Sequence, residues 1–271
     1  MSAGRRPFRG TPLLWLTALV HGGGLAALAV RPAWWPLMLP AFFANHVVLA
    51  LLGVAPRSRA LGPNLRRLPP SFPGVALTFD DGPDPEVTPR VLELLAAGEH
   101  RATFFCVGER AQRHPELIGE LVATGHRVEN HTHRHSSWFS FYPPGALRRE
   151  IVAAQRVLGE LAGRAPRYLR VPAGARSPWL EPVLARLGLH LVSWTRRGFD
   201  TATRDPDRIH RRLVAGLGAG DILMLHDRRL ADRRPPVLEV LPRLLGDLDR
   251  RGLRSLPLPE PEPDPDEKAS D

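Results

Sequence analysis

Residues 77–85 read LTFDDGPDP and place two aspartates, Asp80 and Asp81, at the end of an apolar run and directly before Gly82 and Pro83. Neighbouring residues of a β-strand point to opposite faces, so two adjacent carboxylates can share one site only if the strand breaks there. Gly82 and Pro83 are residue types that make such a break. A turn that caps the next helix is the alternative explanation for paired aspartates at a strand end.

On both sides of this stretch, the chain alternates between short apolar runs and segments of helical spacing. About seven such units lie within residues 74–258, with ATFFCVG (102–108), RVENHT (127–132), HLVSWTRR (190–197) and GDILMLHD (220–227) among the predicted strands. Alternation of this kind indicates parallel strands joined by crossover helices. We therefore predict an α/β fold, an irregular (β/α)7-type barrel, with its chemistry at the carboxyl ends of the strands.

Polar residues follow the predicted strands at matching ends. They are Asp80 and Asp81 at the first strand, Asn130, His131 and His135 after the third, Arg170 and Pro172 at the fourth, Trp194 and Asp200 after the fifth, and His226 and Asp227 at the sixth. Each has an ordinary explanation by itself, such as a helix cap, a strand-end charge or a core histidine. Their common position at one mouth of the barrel indicates a reactive site.

Two of these histidines and a carboxylate would make a catalytic metal site with positions open for water and substrate. His131 and His135 are four residues apart and are expected to share a face of a helical turn, and either Asp80 or Asp81 completes the set. The metal would lower the pKa of bound water and polarise a carbonyl oxygen, while the other aspartate acts as general base. Arg170 is expected to pair with that base and keep it ionised.

The opposite side of the mouth offers a proton donor. His226 is expected to protonate a leaving nitrogen, and Asp200 could hydrogen-bond His226 and favour its protonated form. Leu223 and Leu225, which precede His226, are expected to line a small apolar pocket suited to a methyl group.

Five ordered motifs, TFDDGPD, NHTHRH, RVPAG, WTRRGFD and LMLHD, resemble those of the polysaccharide deacetylase family (NodB-homology, carbohydrate esterase family four), over roughly residues 73–258. The resemblance implies that Asp80 is the base, that Asp81, His131 and His135 bind a divalent metal ion, and that His226 is the acid. The implied metal is zinc, with cobalt, manganese and nickel as alternatives. The implied reaction is hydrolysis of an N-acetyl or N-formyl group from an amino sugar.

Two motifs depart from the family pattern. Ala173 stands where the family usually has an aromatic residue after RxP, although its backbone N–H can still help to hold an oxyanion. Pro172, Ala173 and Trp194 are expected to contact the substrate, in a sugar subsite that the missing ring reshapes. The fourth motif is loose, and Asp200 is its candidate partner for His226.

Two uncharged apolar runs precede this domain, at about residues 12–30 and 33–55. Each is long enough to span a hydrocarbon core of about 30 Å, which predicts a membrane anchor over residues 1–56, formed by a transmembrane helical hairpin. A single anchor with an interfacial segment is the alternative, and a second apolar run argues against a cleavable signal peptide. Arginines flank the pair on both sides, so the positive-inside rule favours the cytoplasmic side of the bacterial inner membrane for the catalytic domain.

Two segments border the catalytic domain, which is predicted over residues 74–258. Residues 57–73 are basic and rich in proline and glycine, which predicts a linker. Residues 259–271 alternate proline with acidic residues, which predicts a disordered acidic tail.

The composition restricts the partners. The formal net charge is +9, which indicates either an anionic partner or a bias toward arginine codons. One cysteine, Cys106, excludes an internal disulfide and a cysteine-based metal site. We find no nucleic-acid reader motif and expect no nucleic-acid partner. Arg196, Arg197, Arg228 and Arg229 are expected to crowd the mouth, where they could bind a phosphate on a lipid-linked, anionic glycan or simply form a solvated rim.

The leading hypothesis is a membrane-anchored, metal-dependent hydrolase acting on an N-acylated amino sugar in a polysaccharide, an oligosaccharide or a lipid-linked glycan. A catalytically inactive carbohydrate-binding barrel at the membrane is the alternative. The intact set of aspartates and histidines argues against the inactive barrel, because a degenerate site usually loses a metal ligand first.

Overall fold

The computed structural model of this chain describes residues 7–8, 10–229 and 235–261. Three arginines of the predicted basic N-terminal flank, Arg5, Arg6 and Arg9, lie outside the described residues, as do residues 262–271 of the predicted acidic tail. Within the described ranges, a helical hairpin comes first, and a parallel sheet wrapped by helices follows.

The hairpin consists of α1 (Pro12–Val30) and α2 (Trp35–Gly53), joined through a turn of 3₁₀ helix. Each helix has 19 residues, which at about 1.5 Å per residue gives a length of about 28 Å. Both are long and apolar enough to cross a membrane. Of their residues, all of which are described, only Gly24, Asn45 and Gly53 are buried.

Eight strands in the described residues make one curled sheet. They are β1 (Gly74–Asp80), β2 (Thr103–Cys106), β3 (Arg127–Asn130), β4 (Tyr168–Leu169), β5 (His190–Leu191), β6 (Arg196–Arg197), β7 (Ile222–His226) and β8 (Arg254–Ser255). All pairings are parallel, in the order β5-β4-β3-β2-β1-β7-β6, with β8 beside β1. The predicted irregular (β/α)7-type barrel is confirmed.

The stretch 190–197, predicted as one strand, serves as two, because its ends pair with opposite edges of the sheet. β5 pairs with β4, and β6 pairs with β7. Between them, the Val192 N–H donates to the Leu169 carbonyl, and the Thr195 N–H donates to the Ile222 carbonyl. This single extended stretch closes the curled sheet into a ring.

Helices cover the outer face of the ring. They are α3 (Thr88–Ala97), α4 (Gly108–Arg113), α5 (Pro115–Ala123), α6 (Pro144–Ala162), α7 (Leu180–Leu187), α8 (Pro206–Val214) and α9 (Val237–Arg250). The largest apolar core lies between sheet and helices and includes Phe79, Leu223 and Leu225. Alternate residues of the strands face the other way, and Met224 packs there with Trp194 inside the ring.

Residues 57–73 pack against the barrel instead of forming a free linker. Leu61 and Leu68 are buried. The Leu65 N–H donates to the Leu191 carbonyl at 2.9 Å, and the Leu65 carbonyl accepts from the Ser193 N–H at 2.8 Å. The segment therefore lies along β5 as part of the folded domain, and its prolines and glycines mark turns within it.

The first residues of the predicted tail also contact the barrel. The Glu260 carboxylate lies 3.0 Å from Arg127 Nη1 and 2.9 Å from Arg164 Nη1. The same two arginines pair with Glu129, which is fully buried in β3. Contacts with the barrel thus continue as far as Glu260.

Candidate active site

The predicted strand break at DDGP is present. Asp80 is the last residue of β1, and Asp81 leaves the strand with a left-handed backbone, at φ 75°. A Cβ at Gly82 would come within 2.2 Å of the Asp227 carboxylate, so only glycine fits there. Both aspartates line one cavity of about 170 Å³ at the carboxyl ends of the strands. Non-glycine residues at positive φ cost about 1–3 kcal/mol and cluster at functional sites.

His131 and His135 reach the same cavity from the loop after β3. Their spacing was expected to form a helical turn, but Thr132 and His135 both have left-handed backbones, at φ 66° and φ 52°. The loop is held locally, since the Asn130 side-chain oxygen accepts from the Thr132 N–H at 2.8 Å and the Thr132 hydroxyl accepts from the His135 N–H at 3.2 Å. The two imidazoles converge through this loop geometry, and the helical turn is a wrong prediction.

The residues Asp81, His131 and His135 fit a divalent metal ion. Their ligand atoms all lie within 4.8 Å of one another. The Asp81 Oδ1 atom lies 3.3 Å from His131 Nε2 and 2.9 Å from His135 Nε2, yet it is buried without a hydrogen-bond partner. His131 Nδ1 lies 2.8 Å from the Arg170 carbonyl, which fixes the tautomer that leaves Nε2 free for a metal. Two imidazoles and one carboxylate are a donor set that suits zinc and related ions.

The two histidines also govern the charge of Asp81. Burial would raise the pKa of the Asp81 carboxyl, but the two histidines beside it, His131 and His135, hold that pKa well below its usual range. The group is therefore a carboxylate at physiological pH, as a metal ligand must be.

Asp80 faces a different partner, Arg170. This arginine lies directly after β4 and is almost fully buried. Its Nη1 donates to Asp80 Oδ1 at 2.6 Å and to the Thr78 hydroxyl at 2.8 Å, and its Nη2 donates to the Ser193 carbonyl at 2.9 Å. The guanidinium also lies 4.1 Å from the centre of the Phe105 ring. These contacts fix the Asp80 carboxylate beside the three metal-ligand candidates and give it a counter-charge.

His226 and Asp200 form the predicted pair on the other side of the cavity. His226 Nδ1 lies 2.9 Å from Asp200 Oδ1, and the His226 N–H donates to Asp200 Oδ2 at 2.8 Å. Burial would lower the pKa of His226, but the charge and hydrogen bond of Asp200, with the charges of Asp80 and Asp81, raise it to about 9. The imidazolium form therefore persists at neutral pH, with Nε2 as its remaining donor.

The two leucines predicted to line a methyl pocket do not reach the cavity. Leu223 and Leu225 are fully buried in the core outside the ring, and Met224 lines the cavity instead. The reason is strand alternation, since Met224 shares the inward face with His226. Met224 and His226 are two residues apart in LMLHD, so the sequence alone could have placed Met224 on the side of the strand that faces the cavity.

Of the other residues predicted to contact the substrate, two line the cavity and one does not. Ala173 and Trp194 line the cavity, and Ala173 has a left-handed backbone, at φ 55°. Pro172 is buried and is absent from the cavity lining. Asp227 is fully buried outside the cavity, where its carboxyl oxygen Oδ2 accepts a hydrogen bond from the Thr88 hydroxyl at 2.7 Å.

The four arginines expected at the mouth separate into two pairs. Arg197 and Arg228 line the cavity, and Arg228 Nε lies 3.0 Å from Asp81 Oδ2. Arg196 points elsewhere and pairs with Asp221 at 2.6 Å. Arg229 pairs with Glu86 and Asp84 and is also absent from the cavity wall. Among the residues that the structure describes, the arginines that line the cavity are therefore Arg197 and Arg228.

Known proteins are similar to this chain in sequence and in fold. The polysaccharide deacetylase family model matches residues 68–192. The chitooligosaccharide deacetylase of Bradyrhizobium sp. (strain ANU 289) is 37% identical over 197 residues, which cover 68% of this chain and 88% of that relative. A peptidoglycan-N-acetylglucosamine deacetylase of Bacillus cereus (strain ATCC 14579) is 32% identical over 182 residues, which cover 66% of this chain and 84% of that relative.

Solved structures give the same result. The Bc1960 peptidoglycan N-acetylglucosamine deacetylase superposes with a TM-score of 0.67 at 28% identity, over 72% of this chain and 91% of that chain. The family 4 carbohydrate esterase from Streptomyces lividans, in complex with acetate, superposes with a TM-score of 0.61 at 30% identity, over 68% of this chain and 93% of that chain. The chain belongs to the polysaccharide deacetylase family and is a hydrolase of carbon–nitrogen amide bonds in N-acylated sugars.

Proposed function

We propose that this protein removes the acetyl group from N-acetylglucosamine units of a glycan. The names of its relatives, which refer to chitooligosaccharide and peptidoglycan, support that substrate class. The observation that carries the proposal is the single cavity onto which Asp80, Asp81, His131, His135 and His226 converge. An N-formyl sugar is the alternative substrate, because a formyl group is smaller than acetyl and meets the same groups.

The proposed metal is zinc, held by Asp81, His131 and His135. When bound, a divalent ion at this position supplies Lewis-acid activation of a water molecule and of the acyl oxygen. Cobalt, manganese and nickel accept the same donors and are the alternatives.

The other residues act on protons and orientation. Asp80, oriented by Arg170, takes a proton from the attacking water, whose oxygen forms a bond to the acyl carbon. The backbone N–H of Ala173 stabilises the charge that develops on the acyl oxygen. His226, held by Asp200, donates its Nε2 proton to the sugar nitrogen as the carbon–nitrogen bond breaks. The products are a free amine on the sugar and a carboxylate.

The cavity wall supplies the proposed substrate contacts. Met224 and Trp194 offer apolar surface to the methyl group and to the sugar face. Arg197 and Arg228 would pair with a phosphate if the glycan is anionic and lipid-linked. The Arg197 guanidinium lies 5.3 Å from the centre of the Trp194 ring, which keeps the cation beside the proposed sugar position.

Acetate release tests the proposal directly. The full-length protein in detergent is stripped with a chelator, reloaded with zinc, cobalt, manganese or nickel, and given chitooligosaccharides or peptidoglycan fragments. Asp80→Asn should keep its metal and lose about 10²- to 10⁴-fold in turnover, since it removes the base. Asp207→Asn, the same change at an exposed position of α8, should match wild type. Wild-type protein that releases neither acetate nor formate with any metal would favour the inactive carbohydrate-binding barrel.

The hairpin carries the second part of the proposal, a membrane anchor over residues 1–56. Its two apolar helices support a span, and the arginines on both flanks support a cytoplasmic catalytic domain at the bacterial inner membrane. Reporter fusions after residue 261 and in the turn at Arg31–Trp34 would test the topology. A cytoplasmic signal from the first and an external signal from the second are expected. An external signal from the C-terminal fusion would reverse the orientation.

A further inference from the structure

The end of the hairpin packs against the loop that forms one wall of the catalytic cavity. The Gly53 carbonyl accepts from the Arg176 N–H at 3.0 Å. The Pro56 carbonyl accepts from the Ser193 hydroxyl at 2.6 Å, and a Cβ at Gly174 would come within 2.7 Å of Pro56. Because Gly174 lines the cavity, the point where α2 ends lies next to the mouth of the active site.

Three large apolar side chains lie exposed on loops at this same end of the barrel. Trp138 and Phe141, in the loop after β3, are 70% and 78% exposed, and Trp179, after β4, is 57% exposed. The two loops touch, since the Ser140 hydroxyl donates to the Ala175 carbonyl at 2.8 Å. Ala175 precedes Arg176, so the loops that carry this aromatic patch, Trp138, Phe141 and Trp179, contact the end of the hairpin.

The surroundings of the patch match a lipid interface. Tryptophan beside the end of a spanning helix favours the headgroup region, where its ring is buried and its N–H stays in contact with water, and a phenylalanine ring beside it adds apolar surface. Arg57 and Arg59 are exposed directly after the hairpin. Cations at this depth are attracted to anionic headgroups.

We propose that the aromatic patch rests on the bilayer that holds the hairpin, so that the catalytic cavity opens at the lipid surface. This inference rests on the proposed deacetylase and its membrane anchor. It narrows the substrate to an N-acylated amino sugar carried by a lipid, because a sugar linked to a headgroup lies at the level of the cavity mouth. The competing occupant, a glycan chain stacked on the exposed rings, is an outcome of the test.

Spin labels measure the depth of the patch without any turnover. Cys106 is fully buried, so a label attaches to an introduced cysteine. Full-length Trp138→Cys, Phe141→Cys and Trp179→Cys are labelled in phosphatidylethanolamine–phosphatidylglycerol vesicles. Val122→Cys is the control, exposed at the end of α5 and thus at the opposite end of the barrel. We expect collisions with oxygen to dominate at the three patch positions and collisions with a water-soluble nickel chelate to dominate at Val122. Patch labels as aqueous as the control overturn the proposal.

Kinetic measurements distinguish an aromatic patch that binds a lipid surface from one that binds a glycan. Trp138→Ser with Phe141→Ser is assayed on free chitotriose and on chitotriose coupled to a dialkyl lipid in the same vesicles. We expect a loss of tenfold or more in kcat/KM on the lipid-linked substrate and less than twofold on the free one. Equal loss on both substrates assigns the rings to glycan binding and overturns the inference. Wild type inactive on both, with labels buried in lipid, refutes the proposed function but not the membrane contact.

Discussion

Replacing Asp200 by asparagine tests how the protonation of His226 is maintained. Asp200 accepts two hydrogen bonds from His226, at 2.8 Å from the backbone N–H and at 2.9 Å from Nδ1. The amide of asparagine can keep the first bond with its oxygen, but it then presents an NH₂ group to Nδ1. Only a neutral imidazole can accept from that donor, so the substitution disfavours the imidazolium.

The size of the effect follows from the bond that is lost. Burial lowers the pKa of His226, and Asp200 is the largest influence that raises it, to about 9. A hydrogen bond to a charged group is worth about 1.5–3 kcal/mol, and about 1.4 kcal/mol corresponds to one pH unit, which gives a decrease of about one to two pH units. His226 acts as an acid only while protonated, and the protonated form is lost as pH rises through its pKa. The alkaline limb of activity is therefore expected at about pH 7–8 in Asp200→Asn.

The assay is kcat/KM for acetate release from about pH 5 to about pH 10, which reports the ionisations of the free enzyme. Asp247→Asn is the matched control, because Asp247 makes a similar pair with His210, at 2.6 Å, remote from the cavity. Metal content and thermal unfolding are measured on the same samples. An Asp200→Asn enzyme that keeps its metal and fold but shows an unmoved alkaline limb would refute the role given to this pair.

Three further substitutions test the surroundings of the site. His135→Ala should weaken zinc binding by more than about a hundredfold, measured by competition with a chelating dye, because even outer partners of a metal ligand contribute about 10- to 100-fold. Gly82→Ala should lower the free energy of unfolding by about 1–3 kcal/mol in a denaturant titration, because its Cβ would clash with Asp227, whereas Gly119→Ala, with open space around it, should not. In metal-free protein, burial raises the pKa of Asp227 to about 8, so folded chains retain a proton that unfolded chains release and stability falls as pH rises toward 8. Asp227→Asn cannot ionise and should remove that fall in unfolding temperature between about pH 5 and pH 8.

The alternation of strands and helices was enough to predict the barrel and the end of the barrel at which its polar residues meet. Parallel strands place their carboxyl ends together, so Asp80, His131 and His226 could be grouped without coordinates. Which aspartate faces the histidines could not be read from two adjacent letters. It depends on the left-handed backbone at Asp81, which presents that carboxylate to His131 and leaves Asp80 to Arg170.

The errors of the sequence reading have distinct physical origins. Residues 190–197 have the pattern of one strand, but their partners lie on two edges of the sheet. Pairing between strands that are far apart in the sequence does not show in the local hydrophobic pattern. A left-handed backbone is usually predicted from glycine. Thr132 and His135 adopt it without being glycines, so the sequence did not indicate the loop that they form. The segment 57–73 has the composition of a linker, whereas its spaced leucines, Leu61, Leu65 and Leu68, decide its packing. Met224 could have been found by strand parity alone.

The position of residues 57–73 beside β5 affects how an anchor-free enzyme should be made. Beginning the chain at β1 would discard Leu61, Leu65 and Leu68 and would uncover the backbone of Leu191 and Ser193, which now bonds to Leu65. An uncovered strand edge of this kind recruits other chains and promotes aggregation. Deletion of the hairpin should therefore stop at about Arg57. The soluble fragment then retains the segment that covers the edge of β5.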